Sequence, residues 1–118
     1  MLSFENLLID QQHLNEAMGN LMTQGGTKDA AIKENVLALI VEATEVLNEV
    51  NWKPWKSAPH QIKVVNRDKL LEETIDLLQF WANIVNAAEF TLEEISEGYH
   101  RKLAVCHMRI TTKKIGGV

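Results

Sequence analysis

The sequence predicts an all-α protein, a bundle-like subunit of four to five helices completed by oligomerisation. Three observations predict it. Apolar residues recur at three- and four-residue spacing through most of the chain. Both prolines, Pro54 and Pro59, fall in a single interruption near the middle. No run of alternating apolar and polar residues is long enough for a strand to compete with these helices.

The first helix begins after Ser3, whose hydroxyl can accept from the unpaired N–H groups of a first turn. Phe4, Leu7, Leu8, Leu14, Met18, Leu21 and Met22 keep one side apolar until Gly25-Gly26, where the pattern predicts the end. The polar side carries Gln11, Gln12, Asn15 and Glu16.

A second helix starts between Thr27 and Asp29 and runs to about Val50, with Ile32, Val36, Ile40, Leu47 and Val50 as its main apolar side. Glu42, Glu45 and Glu49 form another stripe. Ala31 and Ala38 lie above them on that stripe, and such small side chains predict close approach by a helix or a ligand.

The interruption from Asn51 to His60 packs Trp52, Lys53, Trp55 and Lys56 into five residues. A loop has little core in which to bury an indole, so a hydrophobic plug and a stacking platform are both open readings.

The third helix, from about Arg67 to Glu89, is apolar nearly all round, with Leu70, Leu71, Ile75, Leu77, Leu78, Phe80, Trp81, Ile84 and Val85. A helix of that kind must be covered on several sides, and in so short a chain a second subunit is the expected cover. One narrow polar seam holds Lys69, Glu73, Asp76 and Asn83. Acids in that setting need a partner.

Thr91-Leu92-Glu93-Glu94 has the form of a capping box and opens a fourth helix through Ile95, Tyr99, Leu103, Cys106 and Ile110. Tyr99, Lys102, Cys106, Arg109 and Lys113 share one face of it. The default role of these cations is to suit a helix C-terminus, and phosphate contact is the sharper alternative.

The 118 residues are read as one domain, 1–118, in which no linker stands out. A net charge of −4 weighs against nucleic acid as a partner, because phosphate backbones are bound through clustered Lys and Arg. Cys106 is the single cysteine and cannot form an internal disulfide, which points to a reducing compartment. With no basic n-region at Met1-Leu2-Ser3-Phe4 and no apolar run of membrane length, the expectation is a cytoplasmic protein without a membrane partner.

The chemistry follows from the acids. Glu42 and Glu45 stand three residues apart, as do Glu73 and Asp76, so each pair shares one side of its helix about a turn apart. Two such helices packed together converge four carboxylates, a donor set for a hard divalent cation such as Mg²⁺, with Mn²⁺ as a substitute. His13, His60, His100 and His107 are scattered and give no zinc spacing. The Glu-x-x-His pairs of di-iron bundles are absent as well. One E-x-x-E in a helix is ordinarily a solvated face; the second pair, set into a core-like segment, moves the balance towards a metal site.

These residues resemble a known family. The order E-x-x-E, a loop, then E-x-x-D on a Leu-rich helix, seen as Glu42, Glu45, Glu73 and Asp76, is similar to the all-α nucleoside triphosphate pyrophosphohydrolase superfamily, with its MazG-like enzymes and dimeric dUTPases. The Asn51-Trp52-Lys53-Pro54-Trp55-Lys56 segment resembles that of the dimeric dUTPase and phage-type branch. Gln12-His13-Leu14-Asn15 resembles its helix-one Q-x-x-N.

The resemblance implies Mg²⁺-dependent hydrolysis of a (deoxy)nucleoside triphosphate between the α- and β-phosphates, giving a monophosphate and pyrophosphate. Pyrimidine substrates such as dUTP or dCTP lead, with purines open. By the same resemblance Glu42, Glu45, Glu73 and Asp76 hold metal, and Glu42 activates the attacking water. Gln12, Asn15, Trp52, Lys53, Trp55, Lys56, Asn83, Lys102 and Arg109 contact substrate, and the assembly is a homodimer or homotetramer. The chain departs from the pattern at Gln79, where dimeric dUTPases commonly carry His, and at Cys106, where the C-terminal K-x-x-x-N-x-x-R has Asn. The alternative from another class is a non-catalytic helical interaction or nucleotide-sensing module.

Overall fold

A computed structural model gives the structure of residues 1–19, 26–53, 55, 64 and 66–116. Over these the chain forms four helices in order, α1 Phe4–Ala17, α2 Lys28–Asn48, α3 Arg67–Ala88 and α4 Leu92–Gly116. The all-α expectation holds. Among the described residues the only strand-like pairing is an isolated antiparallel bridge between Val50 and Val64.

Side chains fix where the helices begin. Ser3 Oγ accepts from the Asn6 N–H at 3.1 Å, Thr27 Oγ1 from Ala30 at 3.0 Å and Asn66 Oδ1 from Lys69 at 3.0 Å. Before α4 the capping box closes both ways: Glu94 N–H donates to Thr91 Oγ1 at 3.1 Å, and Thr91 N–H donates to Glu94 Oε1 at 3.0 Å. Each such cap is worth about 1 kcal/mol.

The first helix is shorter than its pattern predicts. It ends at Ala17, and Gly19 just beyond takes a left-handed φ of +69°, the conformation that terminates helices and that glycine adopts without a Cβ penalty. Leu21 and Met22 lie outside the described residues. At the far end of α3 the same left-handed turn falls on Glu89, at φ 59°, and its carboxylate pairs with Lys28 Nζ at 3.4 Å.

α2 packs chiefly on α3, and α1 lies across the second half of α3. The core is small: Leu7 and Leu8 of α1 against Ala82 and Val85 of α3, with Leu78, Trp81 and Ile95 packed around them. Ala82 has no exposed surface at all, and its small side chain is what lets the helix axes come together. Phe4 meets Trp81 with ring centroids 5.9 Å apart.

The structure corrects the expected apolar side of α2. Ala31 and Asn35 are its buried residues, so the small-residue stripe is the one that receives α3. Val36, Ile40 and Leu47, expected in the core, are exposed instead, with Ile40 showing 59% of its surface. On α3, likewise, Leu71 and Ile75 stand uncovered within the protomer.

Among the described residues α4 packs little on the other helices. Ile95 packs on the core, whereas Tyr99, Leu103, Met108 and Ile110 are exposed. The chain accordingly exposes 9038 Å², against roughly 6,500 Å² for a compact monomer of its mass. Its radius of gyration is 18.2 Å, against about 13 Å from size scaling. Among the described residues no helix is long and apolar enough to cross a membrane.

Candidate functional site

α2 and α3 run antiparallel along a polar line. At one end Asn35 meets Asn83, and at the other Glu42, seven residues after Asn35, meets Asp76, seven residues before Asn83. Seven residues are close to two turns, so both meetings fall on the same side of each helix, about 10 Å apart. Carboxylates lie at one end and amides at the other.

At the acid end, Glu42, Glu73 and Asp76 each bring a carboxylate oxygen within 4.8 Å of the others. Glu73 is buried, and Glu42 and Asp76 are half-buried. Lys69, one turn before Glu73 on α3, places its Nζ 3.1 Å from Glu73 and 3.6 Å from Glu72. Among the described residues, Lys69 is the cation paired with the cluster, through Glu73.

The crowding of acids is visible in the proton affinities. Partial burial, then the charges of Asp76, Glu73 and Glu45, raise the Glu42 carboxyl above the ordinary glutamate value. Asp76 is raised by partial burial, by its hydrogen-bonding contact with Glu73 and by the charges of Glu73 and Glu72, with Lys69 pulling the other way. The Lys69 ammonium is in turn held protonated by Glu73 and Glu72.

Of the four acids expected to converge, three do. Glu45 is exposed and lies outside the cluster, reaching it only through its charge on Glu42. On α3 both members of the pair reach the cluster, whereas on α2 Glu42 is the one that does. Glu49 is the C-cap residue of α2 and half-buried. The three that converge offer only hard oxygen donors with excess negative charge, a set that suits Mg²⁺ or a similar cation and could also accept protons.

At the amide end, Asn15 Nδ2 donates to Asn83 Oδ1 at 3.0 Å, Asn83 Nδ2 donates to Asn35 Oδ1 at 3.1 Å, and Asn35 Nδ2 donates to the Ala31 carbonyl at 2.8 Å. This brings the expected Asn15 and Asn83 together. Gln12 is exposed, and its neighbour Gln11 is the buried one. Asn86 Nδ2 adds a second tie by donating to the Leu8 carbonyl at 2.9 Å.

Trp52 and Trp55 meet edge to face at 5.8 Å, and Lys53 Nζ lies 6.0 Å from each ring centroid. Lys56 lies outside the described residues. Lys102 and Arg109 are exposed on α4 and pair with no acid among the described residues. Gln79 is half-buried on α3, and Cys106 is exposed on α4.

The arrangement also holds two residues beyond the expected site set, Asn35 and Lys69. Asn35 carried no signal beyond its place seven residues before Glu42. Lys69 did carry one, the i, i+4 spacing to Glu73 that lets a lysine reach a carboxylate on the next turn.

A family model described as dUTPase matches residues 3–89, from the N-cap of α1 to the residue that closes α3, and α4 lies beyond it. No curated protein and no solved structure matches the chain.

Proposed function

The chain belongs to the dUTPase family, and we propose that it hydrolyses a (deoxy)nucleoside triphosphate between the α- and β-phosphates, releasing the monophosphate and pyrophosphate. Pyrimidine substrates are favoured, dUTP first. The observation that carries the reading is the convergence of Glu42, Glu73 and Asp76 on the α2–α3 line, inside the region the family model matches.

Glu42, Glu73 and Asp76 would hold Mg²⁺, with Glu45 close enough to add charge. A cation held there would supply charge neutralisation for phosphate oxygens. Glu42 faces Glu73 and Asp76 from α2 and is the residue assigned to take the proton of the attacking water. Lys69 holds Glu73 in place. By the family resemblance Lys53, Lys56, Lys102 and Arg109 are proposed to meet the triphosphate, and Trp52 and Trp55, edge to face with one another, to give the substrate an aromatic surface. Asn15 and Asn83, about 10 Å along the line from the acids, are proposed to meet the base or sugar of a nucleotide whose phosphates sit on the carboxylates. Gln12 shares the helix of Asn15 but is exposed, so its contact depends on a ligand or a second subunit reaching that side.

The assembly is proposed to be a homodimer or homotetramer. An excess of roughly 2,500 Å² of exposed surface per chain over a compact monomer exceeds what one partner contributes to a standard interface. The exposed Ile40, Val41 and Leu71 are the kind of side chains such an interface covers.

The experiment is pyrophosphate release from a panel of nucleotides with and without Mg²⁺. The reading expects Mg²⁺-dependent turnover led by dUTP. No turnover of any nucleotide would leave a binding or sensing module as the better account.

A further inference from the structure

The amide chain has a direction, and that direction is forced. A backbone carbonyl only accepts, so Asn35 must turn its NH₂ towards the Ala31 oxygen, 2.8 Å away. Asn35 is then left with Oδ1 facing Asn83, which must donate to it at 3.1 Å. Asn83 in turn has only Oδ1 left for Asn15, so Asn15 must donate at 3.0 Å. Asn35 and Asn83 are 97% and 94% buried, where an amide turned the wrong way would set oxygen against oxygen or leave a polar group unpaired. The last link, Asn15, is half-buried, and among the described residues nothing donates to its Oδ1.

We propose that Asn35, acting through Asn83, is a positioning residue that locks the Asn15 amide with its oxygen free to accept from a ring N–H of the bound base. This rests on reading the α2–α3 line as a nucleotide site. A freely turning asparagine serves a base with an N–H or a base with a lone pair equally well, by presenting oxygen to one and NH₂ to the other. A locked one does not. Uracil and thymine carry hydrogen on N3 and meet the fixed oxygen, whereas cytosine has a lone pair at that position and is repelled. The relay thus supplies discrimination between the two pyrimidines from residues that need not touch the base.

The test compares binding of dUMP and dCMP by calorimetry, and pyrophosphate release from dUTP and dCTP, in the whole chain and two variants. The wild type is expected to favour the uracil nucleotide by about tenfold or more, the equivalent of one well-made hydrogen bond. Asn35→Leu gives Asn83 nothing to donate to and should bring that ratio close to one. Asn35→Asp loses the bond to Ala31 but keeps an oxygen for Asn83, so it should lose thermal stability while retaining the ratio. A merely structural Asn35 would move stability in both variants and the ratio in neither.

Equal binding of dUMP and dCMP by the wild type overturns the proposal. So does an unchanged ratio in Asn35→Leu, or an equal loss of it in both variants. Should Asn35→Leu fail to fold, Asn35→Ala replaces it, because it too leaves the Asn83 amide without its side-chain acceptor; it must lose the preference for uracil, and keeping it overturns the lock. Release of pyrophosphate from dUTP and dCTP alike would defeat the relay and leave the hydrolase reading standing. A preserved dUMP preference without pyrophosphate release would do the reverse.

Discussion

Lys69 Nζ lies 3.1 Å from the carboxylate of Glu73, the most buried acid of the cluster, and both belong to successive turns of α3. This pairing gives the first prediction. Lys69 is a cation that lowers the proton affinity of Asp76 and offsets part of the cluster's repulsion. Lys69→Gln should therefore raise the pH at which the acids ionise, and the acid limb of the pH–rate profile for nucleotide hydrolysis should move to higher pH. An unmoved limb would mean that Lys69 exerts no field on the reacting groups.

A second prediction concerns stability and pH. The Glu42 and Asp76 carboxyls bind protons more tightly in the fold than in the unfolded chain, so the folded state holds more protons across the interval between the two affinities. Stability from this site is therefore fully present below the unfolded values and is lost as pH rises through the raised folded ones. Thermal melts without divalent cation should show this as a fall in Tm from mildly acidic to neutral pH. Mg²⁺ should restore more of the Tm at neutral pH than at acidic pH, where protons already neutralise the acids.

Removing one charge separates function from stability. Asp76→Asn takes away a repelling carboxylate and should raise Tm in the absence of metal, while abolishing the stabilisation that Mg²⁺ gives. Differential scanning calorimetry with and without Mg²⁺ reads both effects. A variant that melts lower without metal would show that Asp76 is held by favourable contacts instead of strained by its neighbours.

The outer face of α2 provides the fourth. Ile40 and Val41 are more than half exposed in the protomer, so a charge there costs little if the chain is a monomer. If a second copy covers that face, Ile40→Glu combined with Val41→Glu should convert an oligomer into a species of 13.4 kDa in sedimentation velocity at micromolar concentration. Wild-type protein sedimenting at 13.4 kDa would remove the basis for the assembly.

Much of this was legible in the chain, and the failures share a cause. The caps at Ser3, Thr27 and Thr91 mark helix starts because their hydroxyls satisfy N–H groups locally, within three residues. Periodicity, by contrast, reveals stripes without saying which stripe is covered. On α2 the broad apolar stripe of Val36, Ile40 and Leu47 looked like the core, yet the narrow stripe of Ala31 and Asn35 received α3. A helix needing close approach selects small residues, and the larger ones are left for something outside the protomer. The end of α1 was overrun for a related reason, since Leu21 and Met22 continue the spacing past Gly19, where the backbone has already turned.

The site divides in the same way. Glu73 and Asp76 were conspicuous because acids in an apolar helix demand an explanation, and they do meet Glu42. Glu45 has the same spacing from Glu42 as Asp76 has from Glu73 yet lies outside the cluster, a distinction that a one-dimensional pattern cannot make. Asn35 was invisible because its partner lies 48 residues away, on α3.

The most direct measurement of the central claim is steady-state hydrolysis of dUTP, followed through both dUMP and pyrophosphate, in the wild type, Glu42→Gln and Glu45→Gln with Mg²⁺. A general base in the converged cluster predicts dUMP and pyrophosphate in equal amounts from the wild type. Glu42→Gln should lose about 10²–10⁴-fold in kcat, and Glu45→Gln, outside the cluster, should lose much less. Absence of turnover in the wild type, or equal losses in the two variants, would contradict the account.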